Sequence, residues 1–552
     1  MWRAEDPQGN EAAKIKWEIV PYTRGRGLDL GCGPYKAFSH FIGVDNGNHA
    51  RQFGWPIKPD VSVESSDDLS LFNNESMDFV FASHLLEHME DLNKALAEWF
   101  RVVKVGGYLV LYCPDDKLYP KVGEPGANPD HKHNLNQSKV TGIMKDLPGW
   151  DLVRDDLRDA DYGPNDTKNE YSFFQVYQKI EGRKHQYSAR NPEPEKKVAV
   201  VRYGAFGDAL QASSILPWFK ENGYHVTFYC TPRSKSVIEA DPHIDRFYVQ
   251  DQDQVPNEQL FDFWSYEARK YDMFVNLSET VEGALLSMER RPSFYWPHAM
   301  RHAMQNVNYW DMTHAMANGC PMPPRSKFYP KAEEIEKAND LTDGIDGPII
   351  LWVLRGSAPH KVSLYMDQVL AKLLVAHKDA HIFTVGDGSC QLLEVGWEKE
   401  PRVHCMAGKL SIRETLRLAQ VADVVVGPET GVLNAVAFDE TVGKVVMLSH
   451  SSHENLTRDW KNTIALTPDP KQVECYPCHK LHKNWNTCNP FHFTKEWCEK
   501  HNVAYEQVGL LEPGVTNAKC AAHIFPDMIY RAIVEQDCFR PKLEIAEAQS
   551  GN

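Results

Sequence analysis

The stretch GLDLGCGPY, residues 27–35, decides the fold of the first part of the chain. It reads as a short apolar strand containing Asp29, followed by a turn with two glycines. Glycines in such a turn let the backbone approach a ligand closely. A second apolar strand, FIGVD at residues 41–45, ends in Asp45, and an acid at that place can accept both ribose hydroxyls in hydrogen bonds. The two strands predict a nucleoside site.

The pattern continues outward from this turn. Two further apolar runs, MDFVFAS at residues 77–83 and GGYLVLYC at residues 106–113, flank a helix-like stretch. In that stretch apolar residues recur at helical spacing from Leu92 to Val103, and Gly106 and Gly107 are expected to stop the helix. Alternation of strands and helices predicts a mainly parallel sheet.

These pieces, in this order and spacing, resemble the class I S-adenosylmethionine-dependent methyltransferases over about the first 180 residues. The resemblance implies S-adenosyl-L-methionine as cofactor and Asp45 as the residue that holds its ribose hydroxyls. It also implies Asp67 or Asp68 beside the adenine. Tyr35 stands where many members carry a small residue. The implied cofactor-binding residues are Asp29, Gly31, Gly33, Asp45, Asp67 and Asp68.

The sequence gives less information about the methyl acceptor. An in-line methyl transfer needs proximity and sometimes a base, and an oxygen acceptor is the expectation. No Asn/Asp-Pro-Pro-Tyr/Phe motif follows the fourth strand, which argues against methylation of a base amino group. The candidate bases, each with a structural role as the alternative, are His84, His88, His131 and His133.

A second chemistry starts with VAVVRYGAFGD, residues 198–208, where a strand leads through a glycine turn to Asp208. That aspartate suits a general base or a helix N-cap. The stretch ADVVVGPETG, residues 422–431, is again a strand and glycine turn, whose amides can bind a diphosphate. Arg355 and Lys361 follow another strand and are candidate phosphate-binding cations. The alternative is an ordinary structural turn with solvent-facing charges.

These turns resemble the heptosyltransferase-like family, the ADP-heptose:lipopolysaccharide heptosyltransferases of glycosyltransferase family nine. Arg202 to Asp208 match its first turn, whereas Glu429 and Asn434 replace the aspartate and histidine of its donor turn. The resemblance implies a GT-B fold and inverting, metal-independent glycosyl transfer with Asp208 as the catalytic base. The implied donor-binding residues are Arg355, Lys361, Gly386, Glu429, Thr430 and Gly431.

The predicted fold class is therefore α/β, a Rossmann-like class I methyltransferase domain followed by a GT-B pair of Rossmann-like domains. The predicted divisions are a methyltransferase domain at 1–180, a charged linker at 181–197, an acceptor domain at 198–345, and a donor domain with a cysteine-rich tail at 346–552.

Composition excludes several classes of protein. The chain has 552 residues, with 76 acids against 60 bases and a formal net charge of −16, which disfavours nucleic acid as a partner. No run approaches the about 18 apolar residues of a membrane span, and the N-terminus lacks the apolar core of a signal peptide. The expected location is cytoplasmic.

Five cysteines crowd the tail: Cys475, Cys478, Cys488, Cys498 and Cys520. The first four have the ligand count of a zinc site, although the later cysteines do not form a second Cys-x-x-Cys pair. Buried thiols and redox chemistry are the alternatives, and no metal ligand is assigned.

The predicted function is a bifunctional transferase, with methyl transfer from S-adenosyl-L-methionine and glycosyl transfer from a nucleotide-diphosphate sugar to a glycan or glycoconjugate hydroxyl. Two alternatives stay open. One is an enzyme that glycosylates and methylates nucleic-acid bases, and the other is a scaffold with one inactive transferase domain.

Overall fold

Contacts within the chain divide it into two units. One contains Met1–Glu195 and Tyr248–Asp272, and the other contains Lys196–Phe247 and Met273–Asn552. Residues 188–193 of the predicted linker lie outside the described residues. The computed structural model describes residues 11–47, 59–159, 170–187, 194–317, 321–483, 488, 490–505 and 517–539.

The first sheet has eight strands in the order β3-β2-β1-β4-β5-β7-β6-β8. Neighbours from β3 to β5 pair in parallel, and β7 runs antiparallel to both β5 and β6. The predicted parallel α/β sheet is confirmed. Its strands are β1 (Gly27–Leu30), β2 (Ile42–Asp45), β3 (Val61–Ser62), β4 (Met77–Ser83), β5 (Val103–Pro114), β6 (Trp150–Arg158), β7 (Ser172–Lys179) and β8 (His185–Tyr187).

Two further sheets have the orders β11-β10-β9-β12 and β16-β15-β14-β17-β18-β19. The six-stranded sheet is parallel throughout. Two short pairs, β13 with β20 and β21 with β22, complete the described strands. Their bounds are β9 (Lys197–Val201), β10 (His225–Cys230), β11 (Arg246–Val249), β12 (Met273–Asn276), β13 (Ser287–Met288), β14 (Ile349–Val353), β15 (His381–Val385), β16 (Val403–Cys405), β17 (Val424–Pro428), β18 (Gly443–Met447), β19 (Thr463–Leu466), β20 (Lys480–Leu481), β21 (Pro490–Phe491) and β22 (Asn517–Ala518).

Helices alternate with these strands, as the predicted fold class requires. They are α1 (Ala12–Ile15), α2 (Leu92–Val102), α3 (Gln137–Met144), α4 (Phe206–Ala212), α5 (Leu216–Glu221), α6 (Pro232–Ile238), α7 (Leu260–Ala268), α8 (Thr280–Ala284), α9 (His298–Gln305), α10 (Tyr309–Met316), α11 (Ala332–Thr342), α12 (Met366–Ala376), α13 (Ile412–Val421), α14 (Gly431–Val436), α15 (Lys495–Lys500), α16 (Lys519–Ala522) and α17 (Pro526–Val534).

Helix α2 ends earlier than its glycines suggest. The Asp91 side chain caps its start, and the helix buries an apolar stripe that includes Trp99. The chain becomes strand at Val103 because that residue pairs with Met77 of β4. Gly107 instead allows β5 to pack closely against β4, since a Cβ atom there would lie 2.5 Å from the Asp78 carbonyl oxygen.

Burial on both faces explains the continuous apolar runs of the central strands. All five residues of β14 and of β17 are buried. Strands covered on both faces by helices need apolar side chains at every position. Within the part of the chain that the structure describes, no helix is both long and apolar enough to traverse a bilayer.

Candidate active sites

The glycine turn after β1 holds Asp45 through backbone amides. The amide of Gly33 donates to Oδ2 of Asp45 over 3.0 Å, and that of Gly47 donates to Oδ1 over 2.6 Å. Gly31 and Gly33 have φ values of 64° and 52°, in the region that favours glycine. A Cβ atom at Gly33 would meet nothing within 4 Å. The turn therefore brings the predicted Gly31, Gly33 and Asp45 together beside open space.

Asp29 fixes the loop that follows the turn. It is 2% exposed, and its Oδ2 accepts a hydrogen bond from the Ala37 amide over 2.8 Å. Burial raises the pKa of Asp29 to about 7, against the Ala37 hydrogen bond and the Lys36 charge. The Asp45 carboxylate acts in the same direction as burial. Asp29 therefore lies near Asp45, behind the glycine turn.

The two acids proposed for the adenine have different surroundings. Asp67 is buried, and its Oδ2 lies 3.3 Å from Nζ of Lys94. Asp68 is exposed, and its Oδ1 accepts a hydrogen bond from the Ser70 amide over 3.1 Å. The Ser70 hydroxyl and amide lower the pKa of Asp68. Which of the two contacts the adenine stays a prediction.

A cluster of one carboxyl and three imidazoles follows β4, the strand next to β1. Oε1 of Glu87 lies 3.7 Å from Nδ1 of His84, 3.7 Å from Nε2 of His131 and 4.0 Å from Nε2 of His88. Glu87 has no exposed surface, and among the described residues neither of its oxygens has a hydrogen-bond partner. His133 instead contacts the Glu90 carbonyl oxygen.

The pKa shifts in this cluster follow from burial. Burial raises the pKa of Glu87 to about 8 and lowers that of His84 to about 3 and that of His131 to about 4. At neutral pH the Glu87 carboxyl is therefore protonated, and the His84 and His131 imidazoles are neutral. The ligand atoms of Glu87, His88 and His131 all lie within 4.8 Å of one another, so the same group has the ligand types of a divalent-metal site.

Sequence reasoning identified the histidines and missed Glu87. A glutamate next to a histidine in sequence is ordinarily predicted to be exposed to solvent. The available signal was its apolar setting, since Leu85 and Leu86 precede it and Met89 follows shortly after. Leu86 and Met89 are both buried in the core of this unit.

Asp208 is the third residue of α4 and is held on both oxygens. Oδ2 accepts a hydrogen bond from the Ala205 amide over 2.6 Å, and Oδ1 lies 3.0 Å from Nη2 of Arg202. Arg202 is buried and also makes two hydrogen bonds to the Glu282 carboxylate, at 3.0 and 3.1 Å. The capping geometry is present, and 23% of the Asp208 side chain is exposed. A role as base stays a prediction.

The first residues of α4 and α14 are in direct contact. A Cβ atom at Gly207 would lie 3.3 Å from the Gly431 Cα atom and 2.7 Å from Nδ2 of Asn434. A Cβ atom at Gly431 would lie 2.9 Å from the Gly207 nitrogen. Such an approach needs glycine on both sides. The turn that carries Asp208 and the turn that carries Thr430 therefore meet.

The predicted cations lie on a loop that folds onto Thr430. Arg355 forms an isolated β-bridge with Val362, and the Gly356 amide donates to the Lys361 carbonyl oxygen over 2.8 Å. A Cβ atom at Gly356 would lie 3.2 Å from Cγ2 of Thr430. The structure thus brings Lys361 and the donor turn together.

Gly386 follows β15, the strand next to β14, at the same sheet edge. A Cβ atom there would lie 2.6 Å from the Cβ and Sγ atoms of Cys390. Its carbonyl oxygen accepts a hydrogen bond from the Gly408 amide over 2.9 Å. Gly386 therefore permits close packing of the chain at this edge.

Glu429 is buried and organises the loop after β18. Oε1 accepts hydrogen bonds from the Ser449 amide and hydroxyl and from the His450 amide, at 2.8–3.1 Å. Nδ1 of His450 lies 2.5 Å from the same oxygen. Burial alone would raise the pKa of Glu429, but His450 and Lys361 hold it well below its usual range.

His450 was missed by sequence reasoning. It lies beside Glu429 and comes from the loop after β18, not from the donor turn itself. The stretch LSHSSH, residues 448–453, carries no local signal for this pairing, which depends on β17 lying next to β18.

Known proteins resemble both parts of the chain. Residues 28–111 match the family model described as "Methyltransferase domain", which confirms the predicted resemblance there. The uncharacterized protein MJ1123 of Methanocaldococcus jannaschii is 27% identical over 132 residues, which cover 22% of this chain and 64% of that protein. The match thus spans less than two thirds of that relative.

Solved structures similar to the chain include both predicted families. A glycosyl transferase family 9 structure from Veillonella parvula has 13% identity and a TM-score of 0.41, and covers 62% of this chain and 97% of its own. The ADP-heptose lps heptosyltransferase II of E. coli has 12% identity and a TM-score of 0.39, with 62% and 98% covered. A SAM dependent methyltransferase from Archaeoglobus fulgidus has 19% identity and a TM-score of 0.24, with 30% and 92% covered.

Proposed function

We propose that the chain is a bifunctional transferase. One reaction moves a methyl group from S-adenosyl-L-methionine to an acceptor oxygen. The other moves a glycosyl group, with inversion and without a metal, from a nucleotide-diphosphate sugar to a hydroxyl of a glycan or glycoconjugate. The observation that carries the proposal is the meeting of the Asp208 turn with the Thr430 turn, together with the independent Asp45 turn in the first unit.

The residues of the first turn fit S-adenosyl-L-methionine. Gly33 leaves open space where a side chain would point, so its backbone can lie against the cofactor. Each oxygen of Asp45 accepts one amide and keeps a lone pair for a ribose hydroxyl. Asp29 holds the loop in place through Ala37. When bound, the cofactor supplies an electrophilic methyl group.

The Glu87 cluster is proposed to receive the proton of the acceptor hydroxyl. A neutral imidazole can accept a proton, and burial keeps His131 neutral at pH 7 by lowering its pKa. Nδ1 of His88 contacts the Asp130 carbonyl oxygen over 3.1 Å, which orients its ring. Its side chain is 27% exposed, so it is the most accessible imidazole of the three around Glu87.

In the glycosyl reaction, Asp208 is proposed to deprotonate the acceptor hydroxyl. The Arg202 guanidinium and the Ala205 amide hold its carboxylate in one orientation. Positioned groups reduce the entropy cost of a two-substrate step. The leaving diphosphate is proposed to bind Arg355, Lys361 and the amides at 430–431, since fixed cations and dipoles stabilise developing negative charge.

A donor screen tests the glycosyl reaction. A panel of nucleotide sugars is incubated with the full-length protein, and release of nucleoside diphosphate is measured for wild type and for Asp208→Ala. The proposal expects release from one donor class that the variant largely loses. An unchanged rate in the variant would remove Asp208 as the base.

A labelling experiment tests the methyl reaction. Methyl-labelled S-adenosyl-L-methionine is added with the donor identified in the screen, and label is measured in the product. Label in the glycosylated product would support a shared glycan for both reactions. Label that never enters it would show that the two reactions have separate acceptors.

A further inference from the structure

Four of the five tail cysteines line one cavity in the second unit. The cavity has a volume of about 330 Å³, and its walls include Cys475, Cys478, Cys488 and Cys520. These residues come from segments up to 45 positions apart in sequence. Their convergence is a product of the fold and not of a local motif.

The strand pair β21–β22 explains how the two distant cysteines meet. The strands run antiparallel, with Pro490 opposite Ala518. Cys488 lies two residues before Pro490, and Cys520 lies in α16, directly after β22, so both cysteines are next to the ends of this strand pair. Cys475 and Cys478 arrive together on a Cys-x-x-Cys segment.

Cys498 does not belong to this group. Its side chain is buried in the hydrophobic core of the six-stranded sheet, together with residues such as Leu373. The four-cysteine set considered from sequence, which ended at Cys498, is therefore replaced by one that ends at Cys520. The sequence alone could not predict this set, because the pairing of β21 with β22 is a tertiary contact.

Besides the cysteines, Ser449 and two histidines, three cationic side chains line the cavity. Arg301, Lys480 and Lys519 line it, and no acidic residue does so among the described residues. Arg301 is 4% exposed, and its Nε donates to the Cys478 carbonyl oxygen over 2.6 Å. Positive charges beside the four cysteines would offset the negative charge of metal-bound thiolates.

One buried side chain also points to a ligand. His360 is 2% exposed and lines the cavity, and neither of its ring nitrogens has a hydrogen-bond partner among the described residues. A buried polar group without a partner costs free energy unless something fills the space beside it. A ligand bound through sulfur could accept a hydrogen bond from this ring.

We propose that Cys475, Cys478, Cys488 and Cys520 form a four-thiolate metal site. Thiolates select soft or borderline centres, either zinc or an iron–sulfur cluster. A tetrahedral zinc ion with Zn–S bonds of about 2.3 Å would place its sulfurs about 3.8 Å apart. An iron–sulfur cluster also takes four thiolates, each on a separate iron, so the metal content of the protein distinguishes the two centres.

The proposed site would lie next to the loop that holds Glu429 of the donor turn. Ser449 and His360 line the same cavity, and Ser449 also holds the buried Glu429 carboxylate. A metal centre there would cross-link the tail to the loop after β18. This structural role is independent of the reaction proposed for Asp208.

Metal analysis of the full-length protein, purified without oxygen and without added metal, tests the site. Iron, zinc and acid-labile sulfide are measured per chain, with the visible absorption spectrum. The expected result is a bound metal in a fixed ratio to the chain. Zinc without sulfide would identify a zinc ion, and iron with an equal amount of sulfide and a broad band near the violet end of the spectrum would identify a cluster. No bound metal would overturn the site.

Matched cysteine variants separate the site from general thiol chemistry. Cys478→Ser and Cys520→Ser are expected to lose the bound metal, whereas Cys498→Ala is expected to retain it. Equal metal loss in all three variants would overturn the assignment of ligands. Because the wild-type measurement does not depend on a variant that folds, the proposal stays testable if a serine variant is insoluble. Diphosphate release by the wild type is scored separately, so failure of either proposal is distinguishable.

Discussion

Nη2 of Arg202 lies 3.0 Å from Oδ1 of Asp208, and the same guanidinium holds Glu282 with two hydrogen bonds. Arg202 is buried, and the two carboxylates raise its pKa against the effect of burial. A permanently charged guanidinium therefore stands beside the proposed base. Such a neighbour holds the carboxylate in one orientation, which a base needs in order to accept a proton from a bound hydroxyl.

Replacement of Asp208 by asparagine tests this arrangement with little change of shape. Asp208→Asn is expected to lower the turnover number for glycosyl transfer by about 10²–10⁴-fold, the usual contribution of a general base. Methyl transfer is expected to be unchanged. The measurement is diphosphate release at saturating donor.

The control is Asp311→Asn, which removes an exposed carboxylate paired with Arg458 in the same unit. Its glycosyl turnover is expected to match wild type. Wild-type turnover in Asp208→Asn would reduce that residue to a helix cap, and the base would have to be sought elsewhere.

The contact between Gly207 and Gly431 makes a second prediction. In Gly431→Ala the added methyl group would lie 2.9 Å from the Gly207 nitrogen, so the two turns must separate. Overpacking of this kind typically costs about 1–3 kcal/mol. The variant is expected to unfold at lower denaturant concentration and to lose glycosyl transfer.

Gly388→Ala is the matched control, because a Cβ atom there would meet nothing within 4 Å. It is expected to keep the stability and the activity of wild type. Equal losses in both alanine variants would show that the effect comes from helix or turn propensity and not from the contact with Gly207.

The features that the sequence could predict are those formed by residues close together in the chain. The strand with Asp29 and the turn with Gly31 and Gly33 are encoded by adjacent residues, so their order alone indicates a close-approach turn. The same holds for the motif from Arg202 to Asp208. Both turns appear in the structure with the glycine geometry that their chemistry requires.

What it could not predict depends on elements far apart in the chain. Glu87 is buried because His131 closes over it from a loop more than forty residues later. His450 reaches Glu429 because β17 and β18 are neighbours, and Cys488 and Cys520 line one cavity beside the β21–β22 pair. Such pairings are set by tertiary packing, which no local spacing encodes.

The two acids Asp45 and Asp68 make a third prediction, on cofactor affinity. Asp45 accepts the Gly33 and Gly47 amides, and Asn at this position would lose charge and one acceptor oxygen. A hydrogen bond to a charged group contributes about 1.5–3 kcal/mol, so Asp45→Asn is expected to weaken S-adenosylhomocysteine binding by about 10–100-fold. Calorimetric titration measures the change.

Asp68→Asn is the companion variant. Because the Asp68 carboxylate is exposed and serves the Ser70 amide, its loss is expected to leave the affinity unchanged. A weaker affinity in Asp68→Asn than in Asp45→Asn would contradict the role proposed for Asp45 and would favour Asp68 as the residue that contacts the cofactor.

The buried carboxyl of Glu87 makes a fourth prediction, on the pH dependence of stability. Its pKa is raised by burial from 4.5 to about 8 in the folded protein. Between these values the folded state keeps a proton that the unfolded chain has released. The stabilisation is therefore complete below pH 4.5 and is lost as the pH rises to about 8. The slope is at most about 1.4 kcal/mol for each pH unit.

Glu87→Gln cannot titrate and is expected to remove this part of the pH dependence. Free energies of unfolding are measured by denaturant titration from pH 5 to pH 8 for wild type and variant. Asp29, whose pKa is also raised, contributes equally to both proteins, so the difference between the two curves isolates Glu87. Glu90→Gln is the control, since that side chain is 82% exposed and is paired with Lys132. A difference curve that is flat for Glu87→Gln, or equally steep for Glu90→Gln, would contradict a protonated Glu87 at the centre of the histidine cluster.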